Sequence, residues 1–389
     1  MAQRIKLGLV FKYDEAWIAG SYYILNLIYA LYTLPDEEQP EIVLFTDEVN
    51  DRKKVEQIGY VHLTHKNYTP RFNTFEKLLN KISRKLTGKN VIEKRMQNKE
   101  VDYVFMQRRS WETDLLEHSK KIFWIPDCQE LMMPELFFKR ELDGRKHVYN
   151  EIISAGSKVL FSSENAKSHF VSFYPHAANP LYVVNFAVVH PSLLTTDFNQ
   201  LKQQYQLKMP YFIAPNQFWV HKNQQVVLDA ALLLKQQSIP VQIIFTGKEN
   251  DFRAPEYTKQ LKQFVYDHAL QKEVQFLGFI PREHQLCLMQ NSRAVIQPSL
   301  FEGWSTVVED AKALNKWVVL SDIPVHREQL KTNVDFFDPK NPEALKEVLK
   351  VHLSEDKQAV VSDYTNQLKK FGEGFVNMLK HQTSQITHT

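Results

Sequence analysis

Two doubly wound α/β domains, each with a parallel sheet covered by helices on both faces, are the fold this chain predicts. Three observations lead there. With 389 residues, the chain is too long for one ordinary core and long enough for two. Short apolar runs bounded by polar residues alternate with stretches of helical spacing, and such alternation means parallel strands buried on both faces. The alternation pauses once, around Phe186–Leu207, where a polar stretch containing Pro191 leads into a new strand.

The strand candidates of the first half are Ile5–Phe11, Ile42–Thr46, Tyr103–Met106, Lys121–Ile125 and Lys158–Ser162. Those of the second half are Tyr211–Ala214, Val241–Thr246, Val274–Phe276, Ala294–Gln297 and Val318–Ser321. A helix after Trp17 places Leu25, Ile28, Tyr29 and Tyr32 on one face, and one from Asn223 does the same with Val227, Ala230, Ala231 and Leu234. The pause sets the expected domains at 1–188 and 206–360, with a helix in 361–389 closing the chain. His62 and His65 are spaced to share a helix face; without a third ligand, such a pair is ordinarily a surface feature. In the stretch Phe75–Lys99, Phe75, Leu78, Leu79, Ile82 and Leu86 form an apolar stripe, and Lys77, Lys81, Arg84, Lys85 and Lys89 crowd the rest. A basic amphipathic helix of this kind suits an anionic membrane surface. The plainer reading, a solvated helix packed on its own domain, is preferred.

Composition excludes several classes. Lys and Arg total 48 against 45 acidic residues, a balance that argues against a general nucleic-acid binder. The two cysteines, Cys128 and Cys287, fit neither a disulfide framework nor a metal spacing, so a reducing cytoplasm is the expected location. The run Leu7–Phe11 suits a buried first strand, and no run reaches the roughly 18 apolar residues of a membrane span. No Asp-x-Asp occurs to support a metal-dependent sugar-transfer site, and neither a metal nor a cofactor is expected.

The segment Gln297–Leu314, QPSLFEGWSTVVEDAKAL, is the most informative. A strand ends at Gln297, a Pro-containing loop follows, and a helix is expected to begin near Thr306. Ligands of open parallel sheets bind just beyond the strand ends. A helix N-terminus adds unpaired N–H groups and about half a positive charge, which favours a phosphate. Glu302 then lies in the loop, Gly303 permits close backbone approach, and a diphosphate fits over Ser305, Thr306 and Val307. At about 100° per residue, Asp310 borders the apolar stripe of Val307, Ala311 and Leu314, while Glu309 points nearly opposite. Thr306-x-x-Glu309 has the spacing of a capping box.

This segment resembles the Glu-(seven residues)-Glu signature of the retaining GT-B glycosyltransferases called group one, a glycogen-synthase-like superfamily. There the first Glu contacts donor-sugar hydroxyls and the second contacts the nucleotide ribose. The second position here is Asp310, shorter by one methylene, so the resemblance assigns ribose to Asp310 and leaves capping to Glu309. A second strand–loop–helix segment, YFIAPNQFWVHKN over Tyr211–Asn223, is similar to the family's Gly-Arg-loop-Lys-Asn segment, whose basic residues neutralise the diphosphate. Lys222 and Asn223 match, Asn216 and Gln217 replace Gly and Arg, and His221 is the expected substitute for the missing charge. Phe245-Thr-Gly247-Lys248 and Phe276-Leu-Gly-Phe279-Ile280-Pro281 stand where the family frames the nucleotide, although a Gly after a strand is by itself most often a turn.

The first half matches more thinly. Trp17-Ile-Ala-Gly20-Ser-Tyr precedes a helix, as a Gly-containing loop near acceptor and donor phosphate does in the family. At the end of Phe123-Trp-Ile-Pro126-Asp127, relatives carry a His-Asp pair facing the sugar; Pro126 replaces the His, and Asp127 is open to a catalytic or a plain turn role. Phe161-Ser-Ser-Glu-Asn resembles the turn before the interdomain linker and reads equally as a Ser N-cap with Glu in the first turn. The resemblance implies a metal-independent hexosyltransferase with Glu302, Lys222 and Asp127 as catalytic candidates. It would move a sugar from a nucleotide diphosphate donor, UDP-glucose being the favoured kind, to a saccharide or lipid-linked saccharide acceptor in cell-envelope or exopolysaccharide synthesis. A nucleotide-sugar epimerase of the same fold and a non-catalytic partner subunit are the alternatives.

Overall fold

The computed structural model describes residues 3–14, 18–67, 73–87, 91–92, 101–106, 121–190, 196–207, 210–355 and 357–381. Strands β1 (Lys6–Val10), β2 (Glu41–Phe45), β3 (Leu63–Lys66), β4 (Tyr103–Met106), β5 (Lys121–Ile125), β6 (Lys158–Phe161) and β7 (Leu181–Val183) make a seven-stranded sheet in the order β3-β2-β1-β4-β5-β6-β7. Strands β8 (Phe212–Pro215), β9 (Ile243–Thr246), β10 (Val274–Phe276), β11 (Val295–Gln297), β12 (Val318–Ser321) and β13 (Val334–Phe337) make a six-stranded sheet in the order β10-β9-β8-β11-β12-β13. Every pairing is parallel. The fold is two parallel α/β domains, and every strand expected from sequence is present. The unforeseen strands β3, β7 and β13 are all edge strands. Polar residues interrupt β3 (LTHK) and β13 (VDFF), and β7 is apolar (LYV) but only three residues long, unlike the four-residue buried runs of β8, β9 and β12.

Three local expectations fail for physical reasons. His65 lies in β3 and His62 just before it, not on a helix; their rings reach Thr46 O at 2.8 Å and Asp36 Oδ1 at 2.7 Å. The helix Ile18–Tyr32 buries Tyr23, Ile24, Leu27, Ile28 and Leu31, whereas Tyr32, expected inside, is exposed. Its covered face is set by the last helix, Thr365–Lys380, whose Phe371, Phe375 and Leu379 share one core with Leu27 and Leu31. Gly372 permits this approach, since a Cβ there would stand 2.9 Å from the Ala30 carbonyl carbon. Buried Lys158 fixes the end of that helix, donating to Met378 O at 2.9 Å and His381 O at 2.7 Å, carbonyls that a helix terminus leaves unpaired.

The third failure is the helix Thr74–Thr87. It is not packed by its apolar stripe: Phe75, Leu78, Ile82 and Leu86 are exposed, and the buried side chain is Asn80. The Asn80 amide exchanges hydrogen bonds of 2.9 and 2.8 Å with the backbone of Ile92. Lys89 and most of the following stretch lie outside the described residues.

The domains meet through specific contacts. Ser163 caps the helix Glu164–Phe173 by accepting from Ala166 N and donates its hydroxyl to Gly303 O at 2.8 Å. Glu328 of the second domain accepts from the N–H groups of Glu164 and Asn165 at 2.9 and 3.1 Å, at the positive end of that helix. Trp304 Nε1 donates to Phe186 O at 3.1 Å on the connecting segment.

Candidate active site

A cavity of about 420 Å³ opens between the two sheets' carboxyl ends, lined by both domains. Asp127 and Trp124 come from the first domain, beyond and within β5. From the second come Asn216, Gln217, His221, Lys222, Gly247, Lys248, Phe279, Ile280, Glu302, Gly303, Trp304, Ser305, Thr306, Val307 and Asp310. Gly20 and Asn223 stand outside this lining. Gly20 is buried in its helix, where its neighbours Ile18 and Ala19 face the cavity. Asn223 adopts a left-handed conformation (φ 56°), and its amide holds Pro298 O at 3.1 Å and Pro339 O at 2.8 Å. It therefore fixes the loops on either side of Lys222.

Glu302 is the most constrained carboxylate in the cavity. Its Oε1 accepts from Lys222 Nζ at 2.6 Å, Gln297 Nε2 at 2.7 Å and Ser299 Oγ at 2.8 Å. Gln297, at the end of β11, is held in turn by Asn216 Nδ2 at 2.6 Å. The first strand of the second sheet thus orients the glutamate through two amides, and the carboxylate cannot drift from the lysine. Gly247 (φ 147°) belongs to the same packing, because a Cβ there would fall 2.6 Å from the carbonyl carbon of Asn216.

The helix beside Glu302 spans Thr306–Ala313, and its N-cap is Ser305, which accepts from Val308 N. The expected Thr306–Glu309 capping box does not form, because the helix starts one residue earlier relative to that pattern. Ser305 N is taken by Gln329 Oε1 at 3.0 Å, so Thr306 and Val307 are the positions whose N–H groups lack intrahelical partners. Glu309 points away from the cavity and is buried, accepting from Gln329 Nε2 at 2.9 Å, Lys312 Nζ at 2.8 Å and the Tyr364 hydroxyl at 2.5 Å.

Asp310 does face the cavity, but it is not alone. Its Oδ1 is shared by Arg282 and by His190 Nε2 at 2.9 Å, while its buried Oδ2 has no partner. Burial alone would raise this carboxyl; Arg282 and His190 outweigh burial and hold it below the usual carboxylate value. Arg282, one residue after Pro281, and His190 were not anticipated. Neither belongs to a local motif: both gain their roles from chain segments that meet only in the fold. The expected outcomes for the two neighbouring acids follow. Glu309→Ala strands Tyr364, Gln329 and Lys312 and should lower stability by about 1–3 kcal/mol. Asp310→Asn should lower the melting temperature, since it leaves Arg282 without its anion; thermal unfolding of both variants checks this.

Two further expectations change. Burial, with Lys222 and Arg253 nearby, depresses His221 well below the usual histidine value, so it is a neutral ring with an unpartnered Nδ1 and adds no positive charge. The loss of the family's arginine is thus not offset by His221 as a cation. Asp127 accepts from Gln129 N at 3.0 Å, which is turn chemistry, yet it also lines the cavity, and burial raises its carboxyl above the ordinary range. Lys248 covers the exposed Phe279 ring at 5.1 Å, at the cavity's other end.

Comparison with known proteins bears on the fold and on the second domain. Residues 197–370, most of the second domain, match the family model described as Glycosyl transferases group 1. The chain as a whole has the GT-B fold. It superposes on a glycosyltransferase from Rickettsia africae with a TM-score of 0.61 at 17% identity, covering 97% of this chain and 93% of that one. HepE from Anabaena, solved in complex with UDP and glucose, gives 0.59 at 16% identity, covering 97% and 95%. WaaG, a glycosyltransferase involved in lipopolysaccharide biosynthesis, gives 0.56 at 10% identity, covering 97% and 95%. Among curated proteins, the O-antigen chain mannosyltransferase RfbU of Salmonella typhimurium is 28% identical over 164 residues, which is 42% of this chain and 43% of that protein. The chain therefore spans under half the length of that relative.

Proposed function

We propose that this chain is a retaining, metal-independent hexosyltransferase that moves a sugar from a nucleotide diphosphate donor to a saccharide acceptor. One observation carries the reading: a Lys222–Glu302 pair, fixed by Gln297 and Ser299, beside a helix N-terminus in a cavity closed by both domains. As the bond between the anomeric carbon and the β-phosphate oxygen breaks, negative charge grows on the diphosphate. Lys222 and the Thr306 and Val307 N–H groups stand ready to stabilise it, and fixed charges of this kind usually give the largest catalytic term. Glu302 orients the sugar through its hydroxyls, Asp310 Oδ2 takes a ribose hydroxyl, and the acceptor hydroxyl attacks from the face the diphosphate leaves, passing its proton to the departing β-phosphate oxygen. Support for UDP comes from HepE and for a mannosyl group from RfbU, so the assay includes UDP-glucose and GDP-mannose. Release of nucleotide only with acceptor, and an α-linked product by NMR from an α-linked donor, is expected. An inverted product or epimerised donor sinks the reading. Lys222→Ala should weaken UDP about tenfold or more while leaving uridine unchanged, because a hydrogen bond between charged groups contributes about 1.5–3 kcal/mol. Calorimetry with both ligands checks it.

The site works at a membrane surface in this proposal, with the lipid-linked form of the acceptor. Among the described residues no helix is long and apolar enough to cross a bilayer. The helix Thr74–Thr87 nevertheless turns an apolar stripe outward, with Phe75 67% and Leu86 78% exposed, beside Lys77, Lys81, Arg84 and Lys85. An exposed apolar stripe flanked by cations suits the interface of an anionic leaflet on the cytoplasmic side. The full chain should co-sediment with phosphatidylglycerol vesicles and not with phosphatidylcholine vesicles. Phe75→Ser/Leu86→Ser should abolish that without changing UDP affinity; equal sedimentation with both lipids removes the membrane from the proposal.

A further inference from the structure

The segment that joins the two domains reaches the helix Thr306–Ala313 through a side chain that no local motif contains. Its backbone is fastened at three places. Trp304 Nε1 donates to Phe186 O at 3.1 Å, Val188 N donates to the Tyr364 hydroxyl at 3.0 Å, and Val189 N donates to Oδ1 of buried Asn26 at 3.0 Å. The next residue, His190, therefore leaves a fixed backbone. Its Nε2 stands 2.9 Å from Asp310 Oδ1, with 5% of the His190 side chain and 0% of the Asp310 side chain exposed. We propose that His190 is a positioning residue for the nucleotide's ribose, fixing the Asp310 carboxylate so that Oδ2 is presented to a ribose hydroxyl, a proposal that rests on the donor reading above.

The two oxygens of Asp310 are used unequally. A guanidinium and a carboxylate that serve only each other commonly pair through two parallel hydrogen bonds, which occupy both oxygens. Here Arg282 and His190 converge on Oδ1, while buried Oδ2 has no partner, in a residue that lines the cavity. A buried carboxylate oxygen without a donor is costly, so a donor is due from the ligand. Arg282 by itself does not decide which oxygen stays free. Its fork of N–H groups fits one carboxylate oxygen or both, and its guanidinium also lies toward the Tyr22 ring, 5.8 Å away. The imidazole offers Asp310 one N–H from one direction and holds Oδ1 on the linker side. Without it, the carboxylate is free to turn about its last torsion, which has a broad energy profile, and give both oxygens to Arg282. Oδ2 is then withdrawn from the ribose. Nε2–H donates in the Nε2-protonated neutral ring and in the imidazolium alike, so the role needs no particular charge on His190.

The experiment measures, by calorimetry on the full chain, the affinity for UDP and GDP and for analogues of the better binder that lack either ribose hydroxyl. The parent chain is expected to bind the complete nucleotide about tenfold more tightly than at least one analogue, the size of one hydrogen bond to a charged group. His190→Ala should cut that preference to about twofold or less. His190→Gln, whose amide N–H extends to a similar reach, should restore most of it. The preference is a ratio within one protein, so a general loss of stability or of phosphate binding leaves it unchanged. Should His190→Ala not fold, His190→Asn takes its place, because its shorter amide does not reach Asp310. A preference that survives either truncation, or that His190→Gln fails to restore, overturns the positioning role and leaves the donor reading standing. A parent chain that binds a nucleotide without preferring its ribose hydroxyls also overturns it, through Asp310. A parent chain that binds neither nucleotide removes the donor reading and the role of His190 with it.

Discussion

Glu302→Gln is expected to slow transfer by about 10²–10³, the usual loss when one fixed transition-state contact is removed. The substitution is nearly isosteric. Its remaining carbonyl oxygen still accepts from Lys222 and Ser299, so the loop before the helix Thr306–Ala313 should keep its shape. In the proposed reaction, what disappears is the charge that would polarise the donor sugar's hydroxyls and offset the developing positive charge at the anomeric carbon. The same loss frees Lys222 from its ion pair, whose partners are largely buried. UDP should therefore bind as tightly or more tightly, opposite in sign to Lys222→Ala. Turnover is read by released nucleotide, and UDP affinity by calorimetry, in one buffer. A folded variant with near-normal turnover strikes Glu302 from the catalytic residues; weaker UDP binding would mean that the carboxylate orders the phosphate site instead.

How far the sequence revealed this site depended on whether the physics was local. The second sheet's central strands are fully buried runs, and the loops after β8 and β11 each carry their candidate residues within a few positions of a strand end. Glu302, Lys222 and the helix N-terminus were legible for that reason. Edge strands β3, β7 and β13 are not: polar residues interrupt β3 and β13, and β7 is an apolar run of only three residues. Arg282 and His190 were invisible for a different reason: their roles come from sharing one oxygen of Asp310 across 28 and 120 residues of chain. The N-cap at Ser305 defeated the capping-box reading, since a Ser and a Thr in adjacent positions both suit a helix start. The basic helix Thr74–Thr87 shows the limit of periodicity. The stripe is legible, but its exposure is not: the buried side chain is Asn80, which pairs with the Ile92 backbone, a polar contact that no hydrophobic pattern announces.

Gly303→Ala is expected to be nearly as damaging as the loss of Glu302, through geometry alone. Gly303 does not need its freedom for a left-handed backbone, as it is absent from the positive-φ glycines among the described residues. Its constraint lies across the domain interface: a Cβ there would stand 2.6 Å from Asp127 Cβ and 2.9 Å from the Pro126 carbonyl carbon. Backbone cannot yield as a flexible side chain can, so the domains must separate to admit the methyl. The Ser163–Gly303 hydrogen bond of 2.8 Å and the Glu328 contacts to Glu164 and Asn165 then lengthen together. Asp127 recedes from Glu302, and the cavity loses its first-domain wall. A displacement of about 1 Å in a preorganised site can lower turnover 10²-fold. UDP affinity should change little, because Lys222 and the helix N-terminus are both in the second domain. Each domain's core is untouched, so the melting temperature should fall by only a few degrees. Small-angle scattering should show a larger radius of gyration than the parent chain in saturating UDP. Unchanged turnover with unchanged scattering would mean that catalysis does not require this contact, and that the cleft works in a more open form.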